Sequence, residues 1–133
     1  KPVLIDSICM DDTCIYKAAK ETWRTPIKES TSKELKKMMS RVSRYGTARK
    51  SFRYIHQSRR FSEIEYGGKT GSVDKDGIGR VDWFIGFARN PLEKEQQIAV
   101  SVVTVHGSNW TVHSAYIAAE IMRIYIRSLD PKP

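Results

Sequence analysis

The chain has 133 residues, with 23 lysines and arginines against 15 aspartates and glutamates, a formal net charge of +8. With 40% hydrophobic residues, Trp23, Trp83 and Trp110 among them, it can form the core of one ordinary domain, since a chain this long buries roughly two-thirds of its unfolded surface; wholesale disorder is excluded. The longest apolar stretch, Ile98 to Val105, is broken by Ser101 and Thr104 and is far short of the ~20 residues that cross a bilayer. The N-terminus lacks the long apolar run and small-residue cleavage site of a signal peptide, so any export address is expected outside this chain. The basic balance favours encounter with polyanions or membrane surfaces and says nothing of fold.

Val3, Leu4, Ile5 and Ile8, then Ile15 and Tyr16, flank the polar stretch Met10-Asp11-Asp12-Thr13 and predict two short strands joined by a turn. Cys9 and Cys14 stand just outside that turn, one on each strand, so a regular hairpin sets them face to face at about the Cβ separation of a disulfide. They are either a disulfide or two reduced thiols acting as small hydrophobes. No second cysteine pair exists and His56, His106 and His113 are scattered along the chain, so no metal site is expected.

Pro26 blocks a continuous helix through the mixed residues after Tyr16. A clear helix follows. Ser30, Thr31 or Ser32 can cap it, Glu34 lies in its first turn, and Gly46 stops it. Leu35, Met38, Met39 and Val42 form its apolar stripe, while Lys33, Lys36, Lys37 and Arg41 face solvent. Residues 41–60 then carry Arg41, Arg44, Arg49, Lys50, Arg53, Arg59 and Arg60 with no acid, interleaved with Tyr45, Phe52 and Tyr54. This composition describes a solvated basic loop; guanidinium groups with stacking rings would also suit nucleic acid.

From Ile64 and Tyr66 to Ser72 the sequence reads as a strand with a glycine-rich end, and Val73 to Gly79 as a turn. Arg80 to Ala88, centred on Trp83-Phe84-Ile85-Gly86-Phe87, is a second strand, and Gln97 to His106 a third. Short connections make the three antiparallel. Trp83 is expected in the core, and Trp110 at the approach to a final helix with Ala115, Ala118, Ala119, Met122 and Ile126 on one stripe and Glu120, Arg123 and Arg127 off it. Hairpin, helix, three strands and helix make an α+β plan, an antiparallel sheet with helices packed on it. There is no internal repeat or low-complexity tract.

The tetrapeptide Lys69-Thr70-Gly71-Ser72 at a strand end combines a compact charge with three donors, two hydroxyls, and a glycine that leaves room for a substrate backbone. Such an edge can hold a carboxylate, or accept an extended peptide as an added strand. Followed by Asp82-Trp83-Phe84-Ile85-Gly86-Phe87-Ala88, it resembles the penicillin-binding proteins. Thr31-Ser32-Lys33-Glu34-Leu35 into Met38-Met39 and Gly46-Thr47-Ala48 look like the helix and Gly-Thr-Ala segment before that strand. Pro2-Val3-Leu4-Ile5 resembles an earlier strand, and Ala118-Ala119-Glu120-Ile121-Met122 the closing helix.

The resemblance covers nearly the whole chain and implies that residues 1–133 are the C-terminal portion of a β-lactamase/transpeptidase-like fold. It implies a serine DD-transpeptidase that cross-links peptidoglycan stem peptides and is acylated by β-lactams, with no cofactor. Lys69 would then polarise the site and support proton transfer. Thr70 and Ser72 would bind the carboxylate of stem peptide or β-lactam beside Gly71, and the Ser72 N–H would be one of two oxyanion donors. Arg80 is a weaker candidate near the same carboxylate, and His106 and His113 are read as structural.

The family's Ser-x-x-Lys nucleophile motif and Ser-x-Asn motif both precede the Lys-Thr-Gly strand. No Ser-x-Asn occurs here, and Ser30-x-x-Lys33 and Ser72-x-x-Lys75 sit where the family has other elements, so both are read as coincidence. The expectation is a chain inactive alone, with exposed apolar surface where the nucleophile-bearing N-terminal part of the same domain docks. The substrate implies an extracytoplasmic location and an N-terminal membrane anchor outside this chain; an oxidising compartment would suit a Cys9–Cys14 bridge. The alternatives are a β-lactamase or β-lactam sensor of the same fold, or a small basic nucleic-acid-binding module using residues 41–60; the transpeptidase reading implies no nucleic-acid partner.

Overall fold

The computed structural model describes residues 3–19, 24–93, 95–107 and 109–129; the expectations at Lys1, Pro2, Trp23 and Ser108 fall outside them. The architecture is α+β with antiparallel sheets, in two compact units, Lys1–Ser32 and Lys33–Pro133.

In the first unit β1 (Ser7–Met10) and β2 (Thr13–Lys17) form the expected hairpin. Asp11 turns the chain at φ 53°, a left-handed conformation that a short Asx side chain tolerates. Cys9 pairs with Cys14 in the ladder and the two are disulfide-bonded, while Ile15 is the extra residue of a bulge. Val3, Leu4 and Ile5 are not strand: the ladder closes at the Ala18 N–H to Asp6 O bond, 2.7 Å, and they lie exposed before it.

The first helix, α1 (Glu29–Arg44), starts before the expected caps, so Ser30 to Ser32 fall inside its first turn and Glu29 supplies the acid that favours a helix N-terminus. Gly46 ends it, donating its N–H to Arg41 O and Val42 O. The buried face follows the apolar stripe only in part, at Met39 and at Val42, which packs against the core. Leu35 and Met38 are exposed, whereas Lys36, Met39 and Ser40 are half-buried and Ser43 is buried. Close approach to a strand explains the phase: a Cβ on Gly67 would lie 2.5 Å from Ser40 N, and Ser40 Oγ donates to Tyr66 O at 2.7 Å. Small hydroxyl residues let the helix backbone come this near.

The basic segment is not a loop. After α1 it makes successive tight turns and then α2 (Arg53–Gln57) and a 3-10 turn at Arg59–Phe61. Ala48, Phe52, Ile55 and Phe61 point inward, so Phe52 is not an aromatic of the basic surface; its ring stacks on Tyr66 at 5.6 Å and meets Phe84 at 5.5 Å.

The sheet runs β3 (Glu65–Lys75), β4 (Gly79–Arg89), β5 (Gln97–His106), antiparallel throughout, with β3 at one edge. β3 is longer than expected. Pairing continues to Lys75 opposite Gly79, so Val73 to Lys75 are strand and only residues 76–78 turn, aided by positive φ at Gly77. The last helix, α3 (Ser114–Ser128), lies across β4 and β5 and buries the expected stripe of Ala115, Ala118, Ala119, Met122 and Ile126. Phe84 and Ala88 meet it from the sheet. Trp83 corrects its expectation: strand alternation puts it with Ile85 on the opposite face, 37% exposed.

Candidate active site

Lys69, Thr70, Gly71 and Ser72 are consecutive residues of the edge strand β3, opposite Ile85, Phe84, Trp83 and Asp82 of β4. The other side of β3 carries no strand among the described residues. An edge strand leaves a row of main-chain donors and acceptors for another chain. Alternation sends Lys69 to one face and Thr70 and Ser72 to the other. The Lys69 side chain is exposed and its Nζ donates to Thr70 O at 2.6 Å.

The Gly-Thr-Ala segment meets this strand. Thr47 Oγ1 and Thr70 Oγ1 are 2.7 Å apart, joining the turn after α1 to β3 across 23 residues of sequence. Gly71 is covered from the sheet side: a Cβ there would lie 2.1 Å from Trp83 Nε1. The room that glycine creates is thus taken by the indole of this chain.

Ser72 Oγ donates to Asp82 Oδ1 at 3.3 Å. Asp82 is 4% exposed, and its Oδ2 accepts the N–H of Ser114 at 2.9 Å, fixing the start of α3, where a negative charge is favoured. His113 Nδ1 lies 3.5 Å and His106 Nε2 4.0 Å from the same oxygen. The histidines, scattered in sequence, are neighbours in space, with ring centroids 6.4 Å apart and Trp110 stacked on His106 at 5.2 Å. No group of three His, Cys, Asp or Glu among the described residues is placed to hold a metal ion.

Asp82 is the residue that sequence reasoning passed over. Its signal was there: in Val81-Asp82-Trp83-Phe84 it occupies the alternation phase of buried Phe84, and a buried carboxylate demands partners. Arg80 does not join Thr70 or Ser72. It lies opposite Asp74, with which it pairs at 3.5 Å, and its guanidinium covers Trp110 at 4.3 Å. Ser30 lies in the first turn of α1.

A second group of polar contacts lies behind β3. His56 Nε2 donates to Ser43 O at 2.9 Å, which leaves Nδ1 to accept from the Tyr66 hydroxyl at 2.5 Å. Burial holds His56 below the usual imidazole range, and the charges of Arg44 and Arg49 push the same way against the Ser43 bond. Burial raises the Tyr66 hydroxyl. At the far end of β3, Arg89 Nε donates to Glu65 at 2.7 Å and lowers that carboxyl.

No described helix is long and apolar enough to cross a membrane. A comparison with curated proteins finds no match. The family model for the penicillin binding protein transpeptidase domain matches residues 1–124, a span that runs from the hairpin through the Lys-Thr-Gly edge strand and into α3. The chain therefore belongs to the penicillin-binding protein transpeptidase domain family.

Proposed function

We propose that this chain is the C-terminal part of a serine transpeptidase domain that cross-links peptidoglycan stem peptides and is acylated by β-lactams. The observation that carries the reading is Lys69-Thr70-Gly71-Ser72 on an edge strand, tied to Thr47 on one side and to buried Asp82 on the other. A nucleophilic serine supplied by the N-terminal part of the same domain attacks the stem-peptide carbonyl. The terminal residue leaves as an amine, and the amine of a second stem peptide then takes the acyl group from the serine.

Within that reaction Lys69 supplies a positive charge and supports proton transfer. Thr70 and Ser72 hold the substrate carboxylate, and the Ser72 N–H is one oxyanion donor. The peptide lies along the free edge of β3 in strand-addition mode. The substrate puts the domain outside the cytoplasm, a location with which the Cys9–Cys14 bridge agrees.

The test is acylation by a fluorescent penicillin, followed by intact-mass analysis. The chain alone takes no label. With the N-terminal part supplied, the label falls on that part, and Lys69→Ala slows acylation roughly 100-fold or more. An adduct on this chain, which would point to Ser30, or wild-type acylation by Lys69→Ala overturns the proposal.

A further inference from the structure

We propose that the concavity between the end of α1 and α2 is a binding site for a multiply charged phosphate group. It has a volume of about 640 Å3 and is lined by Arg44, Tyr45, Arg49, Lys50, Arg53, His56 and Gln57. Its size falls in the range of roughly 300–1,000 Å3 that small-molecule sites occupy.

The charge here is uncompensated. No acid occurs between Glu34 and Glu63, and Glu34 is engaged with Lys37 at 2.7 Å. Among the described residues none of Arg44, Arg49, Lys50 and Arg53 has an ion-pair partner. Four cations around one hollow repel one another, and an anion bearing several charges relieves that repulsion at all four together.

The backbone that carries the cations is held in place, not strung on a loose tail. Burial of Ala48, Phe52 and Ile55 turns Arg49, Lys50 and Arg53 to the opposite side of the same helical turns. Arg44 lies over the Tyr66 ring at 5.1 Å, and His56 is pinned between Ser43 O and the Tyr66 hydroxyl. Sites ordered before the ligand arrives lose less entropy on binding. Arginine forks match phosphate oxygens two at a time. The downward push of Arg44 and Arg49 on His56 reports the positive potential inside the hollow.

Of the aromatics of this segment Phe52 is committed to the core while Tyr45 and Tyr54 are exposed; free rings suit stacking on bases, so a single-stranded oligonucleotide is the competing ligand in the test.

The test is calorimetric titration of the purified full chain with inorganic pyrophosphate, beside the Arg49→Glu/Arg53→Glu variant. Both substitutions are at exposed positions, and near-ultraviolet circular dichroism checks that the fold is kept. The expected result is saturable binding, stronger for pyrophosphate than for inorganic phosphate, weakened by salt and reduced roughly tenfold or more in the variant. Vesicles carrying phosphatidic acid, whose headgroup is a phosphomonoester, and vesicles of phosphatidylcholine alone distinguish the source. Capture by the first alone assigns a lipid headgroup, and capture by neither, with pyrophosphate still bound, assigns a soluble phosphate. Absence of pyrophosphate binding, equal binding by the variant, or tighter binding of oligothymidylate than of pyrophosphate overturns the proposal.

Discussion

His56 shows how one residue couples local packing to solution behaviour. It sits neutral, donating from Nε2 to Ser43 O and accepting at Nδ1 from Tyr66, and burial, the largest influence on it, holds its pKa below the ordinary value of 6.5. The unfolded chain therefore takes up this proton more readily than the folded one, and the stability due to neutral His56 is complete above pH 6.5 and is lost progressively as pH falls from that unfolded value through the lower folded one. Chemical denaturation between pH 8 and pH 5 should show stability declining on the acid side, with a flatter profile in His56→Gln. An unchanged profile in that variant would assign the acid sensitivity elsewhere. Asp82 is the opposite case at this scale, a buried carboxylate kept in place by the Ser114 N–H and Ser72 hydroxyl. Alternation marks Asp82 as buried, but the partners of His56 and Asp82 are 10 or more residues away in sequence, and no local spacing encodes those partners.

At the scale of elements, α1 and β3 meet through an absence of side chain. Gly67 admits the backbone of Met39 and Ser40, and a Cβ there would stand 2.6 Å from Met39 C. Since backbone cannot swing aside as a flexible side chain can, Gly67→Ala should destabilise the fold by about 1–3 kcal/mol, read from urea unfolding midpoints. Phe52 tests the other side of the strand. Its fully buried ring bridges Tyr66 and Phe84, and Phe52→Ala should cost roughly 3–5 kcal/mol. A small loss in thermal denaturation would mean that the turns after α1 are not anchored by that ring. The two elements also explain what was legible. The stripe of α3 was correct because a single sheet face covers it. The stripe of α1 was correct at Met39 and Val42 and not at Leu35 and Met38, which have no covering element among the described residues, while the contact with β3 brings in the serine side.

At the scale of the whole molecule, the second unit is finished on one side only. The sheet face that meets α3 holds the core, whereas Trp83, Ile85, Val103 and Val105 on the other face are exposed, as are Leu35 and Met38 of α1. Exposed apolar side chains gathered on one sheet face mark a surface that another element covers. An Ile85→Lys/Val103→Lys variant should bind less hydrophobic dye and self-associate less in sedimentation. Its unfolding midpoint should change little, since substitutions at exposed positions stay within about 0.5 kcal/mol each. A large drop in midpoint would show instead that this face carries stability within the chain.

The hairpin, both long helices, three antiparallel strands and the presence of Lys69 to Ser72 on the first of those strands were determined by the sequence alone, because turn residues, alternation and helical spacing act over a few neighbours; that the strand runs on past Ser72 to Lys75 was decided by its pairing with β4. A turn at Asp11-Asp12 set Cys9 opposite Cys14, and the structure decided for the bridge over the two thiols that the sequence left open. The tertiary structure decided what depends on which surfaces are covered. It turned Phe52 inward and left the basic residues around a hollow, set Trp83 over Gly71 on the exposed face, and gathered Asp82, His106 and His113 from three segments. Burial is a property of pairs of elements, so a residue's own neighbours in sequence establish its periodicity, and only the packed fold establishes which face of that periodicity is inside.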